Sequence, residues 1–498
     1  MAGLVWMVWP SEVVTDYTEL AYKPHISPDY SGTVFPANIA PCNFRIQDKA
    51  DRYYVCVYGD SGRAIDIFSK TGNILIPKRP WKNLLAANKG KNIRFDVYLK
   101  QGQGVWKKCR PIVNTISADP IDDYVVYRRM KPIYNHWQSI GIFQYNLTNN
   151  SESEVLHGRS FGQGCLNCHS FVNNEPDTIA IGLRSAQYGS STLLSQKGKV
   201  RKIGTKWGYT AWHPSGKLAV YSLNKVRQFF HVSGQQVRDV VDLDSALGCY
   251  QVEKQTTVRL TKLSDKERLE TYPTWSPDGT RLYYCSAPIL WQDRDKTPPE
   301  NYDQCQYDLM CASYDADQDV WGDPETVLSA EDTGLSILLP RISPDGRFLI
   351  FCMCRYGCFP VYQPSSDLYI MDLSTKAYHT LPINSPHSES WHCWSSNGRW
   401  MAFSSKQNGG LFTRTYFSHV DREGKVYKPF VLPQTNPTFY DSLLETYSVP
   451  ELIKGRITTP QARLARAARA SASVRVPDAM TGATARAIST TEAWQERE

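Results

Sequence analysis

Cys165, Cys168 and His169 stand in the run Cys165-Leu166-Asn167-Cys168-His169, a C-x-x-C-H motif. Thiols three positions apart can each form a thioether to one porphyrin vinyl group, and the imidazole next in the chain then meets the iron. The spacing therefore predicts covalent attachment of one haem c, with Cys165 and Cys168 holding the porphyrin and His169 as proximal iron ligand. With 13 Cys and 10 His among 498 residues, such an arrangement seldom arises by chance. Two other chemistries use a Cys-x-x-Cys pair. A zinc site needs a second pair of ligands, and a redox disulfide usually sits in a thioredoxin-like βαβ unit; neither context is visible around this motif. The flanks, Phe161-Gly-Gln-Gly164 before and Ser170-Phe-Val-Asn-Asn-Glu-Pro176 after, are small, polar and loop-like.

What such a haem does depends on the sixth iron ligand. His or Met there closes an electron-transfer centre, whereas an open position admits small molecules. His157, His213, His231, His387 and His392 are the candidate imidazoles, Met130 and Met353 the candidate thioethers. His213 stands in a turn, where exposure is expected, and His392, between Trp391 and Cys393, has packing as its plainer explanation. Met353 lies in the run Phe348-Leu-Ile-Phe-Cys-Met-Cys354, where Cys352 and Cys354 read as a buried strand face more readily than as a metal site. Electron transfer to a redox partner protein is the favoured expectation. The alternatives are an enzyme or sensor with an open haem, and a haem-free binding scaffold.

Composition narrows the class. Trp, Tyr and Phe make up 12% of the chain and Gly plus Pro number 61, favouring many short strands joined by tight turns. No run of 18 apolar residues occurs, so no transmembrane helix is expected. The formal charge is +7, of which +3 comes from Gly455 to Glu498, leaving no basic stripe of the kind that binds nucleic acid. Haem c is attached outside the bacterial cytoplasm, so a periplasmic or otherwise exported protein is expected. Met1 to Pro10 is apolar but has no basic start and no cleavage signal, so residues 1–25 read as a degenerate export segment. In an oxidising compartment Cys305 with Cys311, or members of Cys352, Cys354 and Cys358, could pair.

The elements that must position the motif follow from four repeats: Trp212-His-Pro-Ser-Gly216, Trp275-Ser-Pro-Asp-Gly279, Ile342-Ser-Pro-Asp-Gly346 and Trp394-Ser-Ser-Asn-Gly398, each followed by an alternating apolar strand. In the turn, Pro presets φ, Asp or Asn closes its own hydrogen bond and Gly takes a positive φ. These segments resemble the β-propeller repeats of the TolB type, WD-like units in which W-S-P-D-G opens the third-strand hairpin of each blade. The hairpin from Trp137 to Leu156 and the strands from Thr178 and Ser191 look like two degenerate blades, giving six. The combination with a haem c motif is also similar in architecture to the catalytic subunit of hydrazine synthase, although that subunit carries two such motifs.

The fold class expected is all-β. Residues 26–118, with alternating runs from Arg52, Ala64, Asn73 and Asn92, read as an immunoglobulin-like β-sandwich. Residues 119–433 form the propeller, with the haem motif on an insertion at about 156–177. Residues 434–454 are expected as a strap, and 455–498, poor in large apolar side chains, as a disordered tail.

Overall fold

Short apolar runs punctuated by Gly, Pro and Asn leave few places for helices, and antiparallel strands dominate the computed structural model, which describes residues 13–131, 139–231 and 238–472. Two compact units result. The first comprises residues 1–121, 147–150 and 428–443, and the second the remainder.

In the first unit the strands Arg52–Gly59, Ile65–Ser69, Asn73–Ile74 and Asn92–Lys100 form where the alternation places them. They belong to a seven-stranded and a three-stranded sheet. Tyr17–Glu19 pairs in parallel with Trp106–Lys108, so part of the expected export segment is a sandwich strand; residues 1–12 lie outside the described residues. A helix at Lys78–Ala87 was not expected. Its i, i+3, i+4 set Trp81, Leu84 and Leu85 is buried, and the Trp81 indole N–H donates to the Ile39 carbonyl at 3.0 Å.

The second unit is a β-propeller of six antiparallel sheets of four or five strands among the described residues. Its innermost strands are Thr446–Ile453, Cys165–Phe171, Gly208–Trp212, Arg268–Trp275, Ser336–Ile342 and Glu389–Trp394, for blades one to six in turn. Each neighbours the next, and Thr446–Ile453 lies against both Glu389–Trp394 and Cys165–Phe171, so the ring closes. The expected strap is therefore the inner strand of blade one, paired antiparallel with Tyr124–Met130. Radial repetition of this kind leaves only short edge strands at the rim.

The Pro-Asp-Gly turns join the first and second strands of their blades rather than opening a third-strand hairpin. In blade four the Ser276 hydroxyl donates to Asp278 at 2.5 Å, the Asp278 carboxylate accepts the Thr280 N–H at 3.0 Å, and Gly279 has φ +75°. Gly346 has φ +74°. Space distinguishes the two: a Cβ on Gly279 would lie 2.2 Å from His213 Nε2, whereas one on Gly346 would meet nothing nearer than Pro277 at 3.8 Å. Gly346→Ala is expected to cost about 1 kcal/mol from the positive φ alone, and Gly279→Ala clearly more because a packed imidazole must also move. Equal denaturant midpoints for the two variants would contradict this.

Two further expectations are corrected. The segment around the haem motif is not an insertion: Cys165–Phe171 is the first strand of blade two, and its loop-like flanks are the turns that bound it. Gly162 enters with φ +67°, and Asn173 and Asn174 leave with φ +50° and +61°. The Asn174 amide donates to the Trp394 and Leu452 carbonyls at 3.0 and 2.7 Å, tying this turn to two other inner strands. The expected tail is ordered as far as residue 472. Gln461–Arg469 is a helix that buries Leu464, Ala465 and Ala468 in the core shared by blades one and two. The Lys202 ammonium donates to the Ala468 and Ala470 carbonyls at 2.8 Å, satisfying the end of that helix. Alanine-rich helices need only a narrow stripe when one Leu inserts fully. Residues 473–498 lie outside the described residues.

Candidate functional site

On an unbroken strand, residues three apart point to opposite faces. The motif strand is not unbroken. Leu166 pairs with Leu183 and His169 with Ile181, so two residues ending in Cys168 stand opposite Gly182 alone, a β-bulge. The extra residue returns Cys168 to the face of Cys165, which pairs with Arg184. That face looks to blade three: its neighbour Ala180 packs with Trp207 and Trp212, and the Trp212 indole donates to the Ser170 hydroxyl at 3.2 Å. Leu166 and His169 take the other face, where Leu166, Ile181 and Leu183 pack with Val126 of blade one.

The register thus gives Cys168 the same strand parity as Cys165 and His169 the opposite one, while Cys165 also packs against the core shared by blades one and two. Cys165 and Cys168 are half-buried. The Tyr209 backbone N–H, from blade three, donates to Cys168 Sγ at 3.3 Å. Burial, with Arg184 beside it, pulls the Lys206 ammonium down to about 8, while Cys168, Cys165 and Asp242 act in the opposite direction. The charged groups bearing on His169 are different: burial drives its imidazole down to about 3, with Arg128 and Arg341 adding to the effect against the Val126 backbone. His169 is 2% exposed and neither ring nitrogen has a hydrogen-bond partner. Burying such a neutral imidazole is costly unless something offsets it.

A bulge recurs on every inner strand. Tyr209, Tyr272, Leu339, Trp391 and Val449 occupy the bulges of their strands with φ of +45°, +52°, +55°, +43° and +53°. Large or branched residues rarely hold a left-handed conformation, and such strain clusters where a structure has a use for it. Three of these side chains meet on the ring axis. Tyr209 lies 4.2 Å from Tyr272 and 5.7 Å from Trp391 between ring centroids, and the Tyr272 hydroxyl donates to the Cys358 carbonyl at 2.5 Å.

The other expected ligands are occupied elsewhere. His157 accepts the Arg159 N–H at 3.1 Å on Nδ1. His213 is buried rather than exposed, with its ring edge-on to Trp275 at 4.8 Å and Nδ1 2.7 Å from the Ser215 hydroxyl. His231 lies 3.7 Å from Asp239, and His387 packs beside Gly410. His392 Nε2 is 2.9 Å from the Ile350 carbonyl oxygen. Met130 and Met353 are buried in separate apolar cores. Cys305, Cys311, Cys352, Cys354 and Cys358, which could pair in an oxidising compartment, are not joined by disulfides in this structure. Cys305 sits on a loop and Cys311 in the core between blades four and five. Burial raises the eleven thiols outside the motif. Among the described residues no group of three or more His, Cys, Asp or Glu side chains is arranged to hold a metal ion, and no helix is long and apolar enough to cross a membrane.

The motif singles out Cys165, Cys168 and His169 in the sequence, whereas Lys206 and the central rings carry no such signal. Each of these rings stands three residues before the apolar residue that opens a turn, as Tyr209 before Trp212, Tyr272 before Trp275 and Trp391 before Trp394. Aligning the repeats on their turns exposes that column.

No protein-family model matches the chain, nor does any curated protein. Solved structures similar to it are β-propeller proteins. Hydrazine synthase of Kuenenia stuttgartiensis is 13% identical, with 51% of this chain and 63% of that chain covered and a TM-score of 0.30. The chain thus spans under two thirds of that relative. Oligogalacturonate lyase of Vibrio parahaemolyticus is 11% identical over 61% of this chain and 93% of its own, with a TM-score of 0.30. An oligogalacturonate lyase in complex with manganese is 12% identical over 81% and 99%, with a TM-score of 0.34. The closed ring of six antiparallel sheets makes the chain an all-β protein built on a propeller scaffold.

Proposed function

We propose that the chain is an exported redox protein in which Cys165 and Cys168 anchor one haem c to the propeller. The observation that carries this is the C-x-x-C-H motif on a bulged strand whose register gives both half-buried thiols the same parity, which suits two thioethers to one porphyrin. A bound haem supplies a one-electron couple. The thiols suit the attachment, and Lys206 stands near enough for both of them to bear on its ammonium. The geometry does not fit the expected axial role of His169, which faces blade one from the opposite side of the strand. The backbone would have to reverse locally for that imidazole to join the thiol face.

That same observation favours a second reading, an enzyme or sensor with an open coordination position, over a closed electron-transfer centre. Export with the haem-attachment machinery should yield a protein that keeps its haem through denaturing electrophoresis and acid–acetone extraction. Cys165→Ala with Cys168→Ala should lose at least nine tenths of it. Extraction of all haem from the unaltered chain would refute the proposal. In the loaded protein, a six-coordinate low-spin spectrum supports electron transfer, and a five-coordinate high-spin spectrum that shifts with carbon monoxide supports the second reading.

A further inference from the structure

We infer that the rings packed on the propeller axis form an electron path from the Cys165–Cys168 face to a cationic exit at Tyr362, which serves an anionic redox partner. The inference rests on the redox role proposed above and goes beyond it, assigning the route and the charge of the partner.

Electron tunnelling weakens steeply with the gap between conjugated groups, so closely packed rings define the fastest route through a protein. Such a route is continuous here. Tyr209 touches the thiol face through its N–H, 3.3 Å from Cys168 Sγ. Its ring lies 5.7 Å from Trp391, Trp391 lies 5.6 Å from Phe359, and Phe359 stacks on Tyr362 at 5.2 Å. Tyr272 reinforces the middle, 6.1 Å from Trp391. Tyr and Trp are the side chains most readily oxidised by one electron, and Trp391 is 6% exposed, out of reach of water that would dissipate a transient charge.

Packing alone does not call for this arrangement. Tyr209, Tyr272 and Trp391 are held at positive φ, and leucine or valine fills the corresponding place in two other blades. The Trp391 indole N–H has no hydrogen-bond partner, so the ring is not fixed there by a polar anchor. At the far end, the half-buried Tyr362 ring is flanked by the Arg238 guanidinium at 5.4 Å and the Lys406 ammonium at 5.5 Å. The nearby acid, Asp239, accepts from the Tyr356 hydroxyl at 2.9 Å and from the Val240 N–H at 2.8 Å. Two cations on an outlet ring raise the encounter rate of anions and lower that of cations, an effect that salt screens. One electron passes from the reduced partner to the redox centre; no bond is made or broken.

Two measurements on the full-length chain test this. In the first, haem attachment is omitted and a thiol-reactive ruthenium polypyridyl complex is placed on Cys168 in Cys165→Ser. A flash and an external oxidative quencher generate the ruthenium(III) oxidant, which takes one electron from the protein. An indole radical is expected by transient absorption, with at least a tenfold lower yield in Trp391→Phe; an unchanged yield, or no radical, overturns the path whether or not the chain carries haem. In the second, the haem-loaded protein is reduced in a stopped-flow device by anionic ferrocyanide-type and cationic hexaammineruthenium(II) reagents. Lys406→Glu should slow the anionic reagent at least fivefold at low salt and leave the cationic one equal or faster. Equal slowing of both, or of neither, overturns the exit. Absence of a covalent haem spectrum would instead show that the proposed function has failed, separately from the radical yield.

Discussion

A chain truncated after Leu443 is expected to have no cooperatively folded propeller. The truncation removes Thr446–Ile453, the inner strand of blade one, which contacts the inner strands of blades two and six and pairs along its length with Tyr124–Met130. Tyr447, Val449, Leu452 and Ile453 are 2%, 6%, 1% and 0% exposed. At roughly 1.5–3 kcal/mol for each buried apolar side chain, those four alone contribute about 6–12 kcal/mol. That equals the whole stability of an ordinary domain, about 5–15 kcal/mol. Loss of Glu451 also strands Arg341, whose guanidinium pairs with it at 2.8 Å. Truncation after Gly455 keeps the strand and removes the helix Gln461–Arg469, so it should lower the melting temperature by several degrees and leave the transition single. Calorimetry separates the two outcomes; a shorter chain that still melts in one sharp transition near the full-length temperature would show that the ring does not close through this strand.

Much of that architecture is legible before any coordinates. The turn residues of the four clear repeats mark four blades because Pro, Asp and Gly each have a backbone reason to stand where they do, two degenerate blades without that turn bring the number to six, and the alternating runs from Arg52 and Asn92 become strands at the expected residues. Misplaced features share a cause. Glycine and asparagine flanking the haem motif look the same whether they make a flexible insertion or the two tight turns of a strand, and only pairing with Thr178–Ser185 decides. Likewise a short run such as Thr446–Ile453 carries no sign of its partner 320 residues away, since Arg128 reaches Ser448 through folding alone. In the motif itself, residue types show that thiols and imidazole are present, but the side of the strand each takes depends on a one-residue bulge. A change of that size reverses every side chain beyond it.

The same bulge sets up a pH response in which His169 is decisive. Burial holds His169 and His392 at about 3, well below the 6.5 of an unfolded imidazole. A depressed folded value means that the stability is fully present above pH 6.5 and is lost as the pH falls toward 3, by about 1.4 kcal/mol per pH unit for each imidazole. Three carboxyls act with the opposite sign. Burial raises Asp242 and Glu389 to about 7 and Glu270 to about 8, so acidification from pH 7 to about 4 relieves the cost of keeping them charged. Between pH 6.5 and about 4 the three carboxyls outweigh the two imidazoles by one proton, so stability should rise on acidification by about 1.4 kcal/mol per pH unit. Below about pH 4 those three carboxyls are protonated in both states, the imidazoles and the aspartates held below their usual range, such as Asp278, both oppose folding, and the denaturant midpoint should fall steeply. His169→Leu isolates the motif imidazole, because it removes an unpartnered polar group of similar size and breaks no hydrogen bond. At pH 7 the variant should be as stable as the unaltered chain within about 1 kcal/mol. Its acid limb should be shallower by the proton that His169 no longer takes up. A variant that is several kcal/mol less stable at pH 7, or whose acid limb is unchanged, would mean that the imidazole is satisfied or solvated in its native setting and that the strand face assigned to it is wrong.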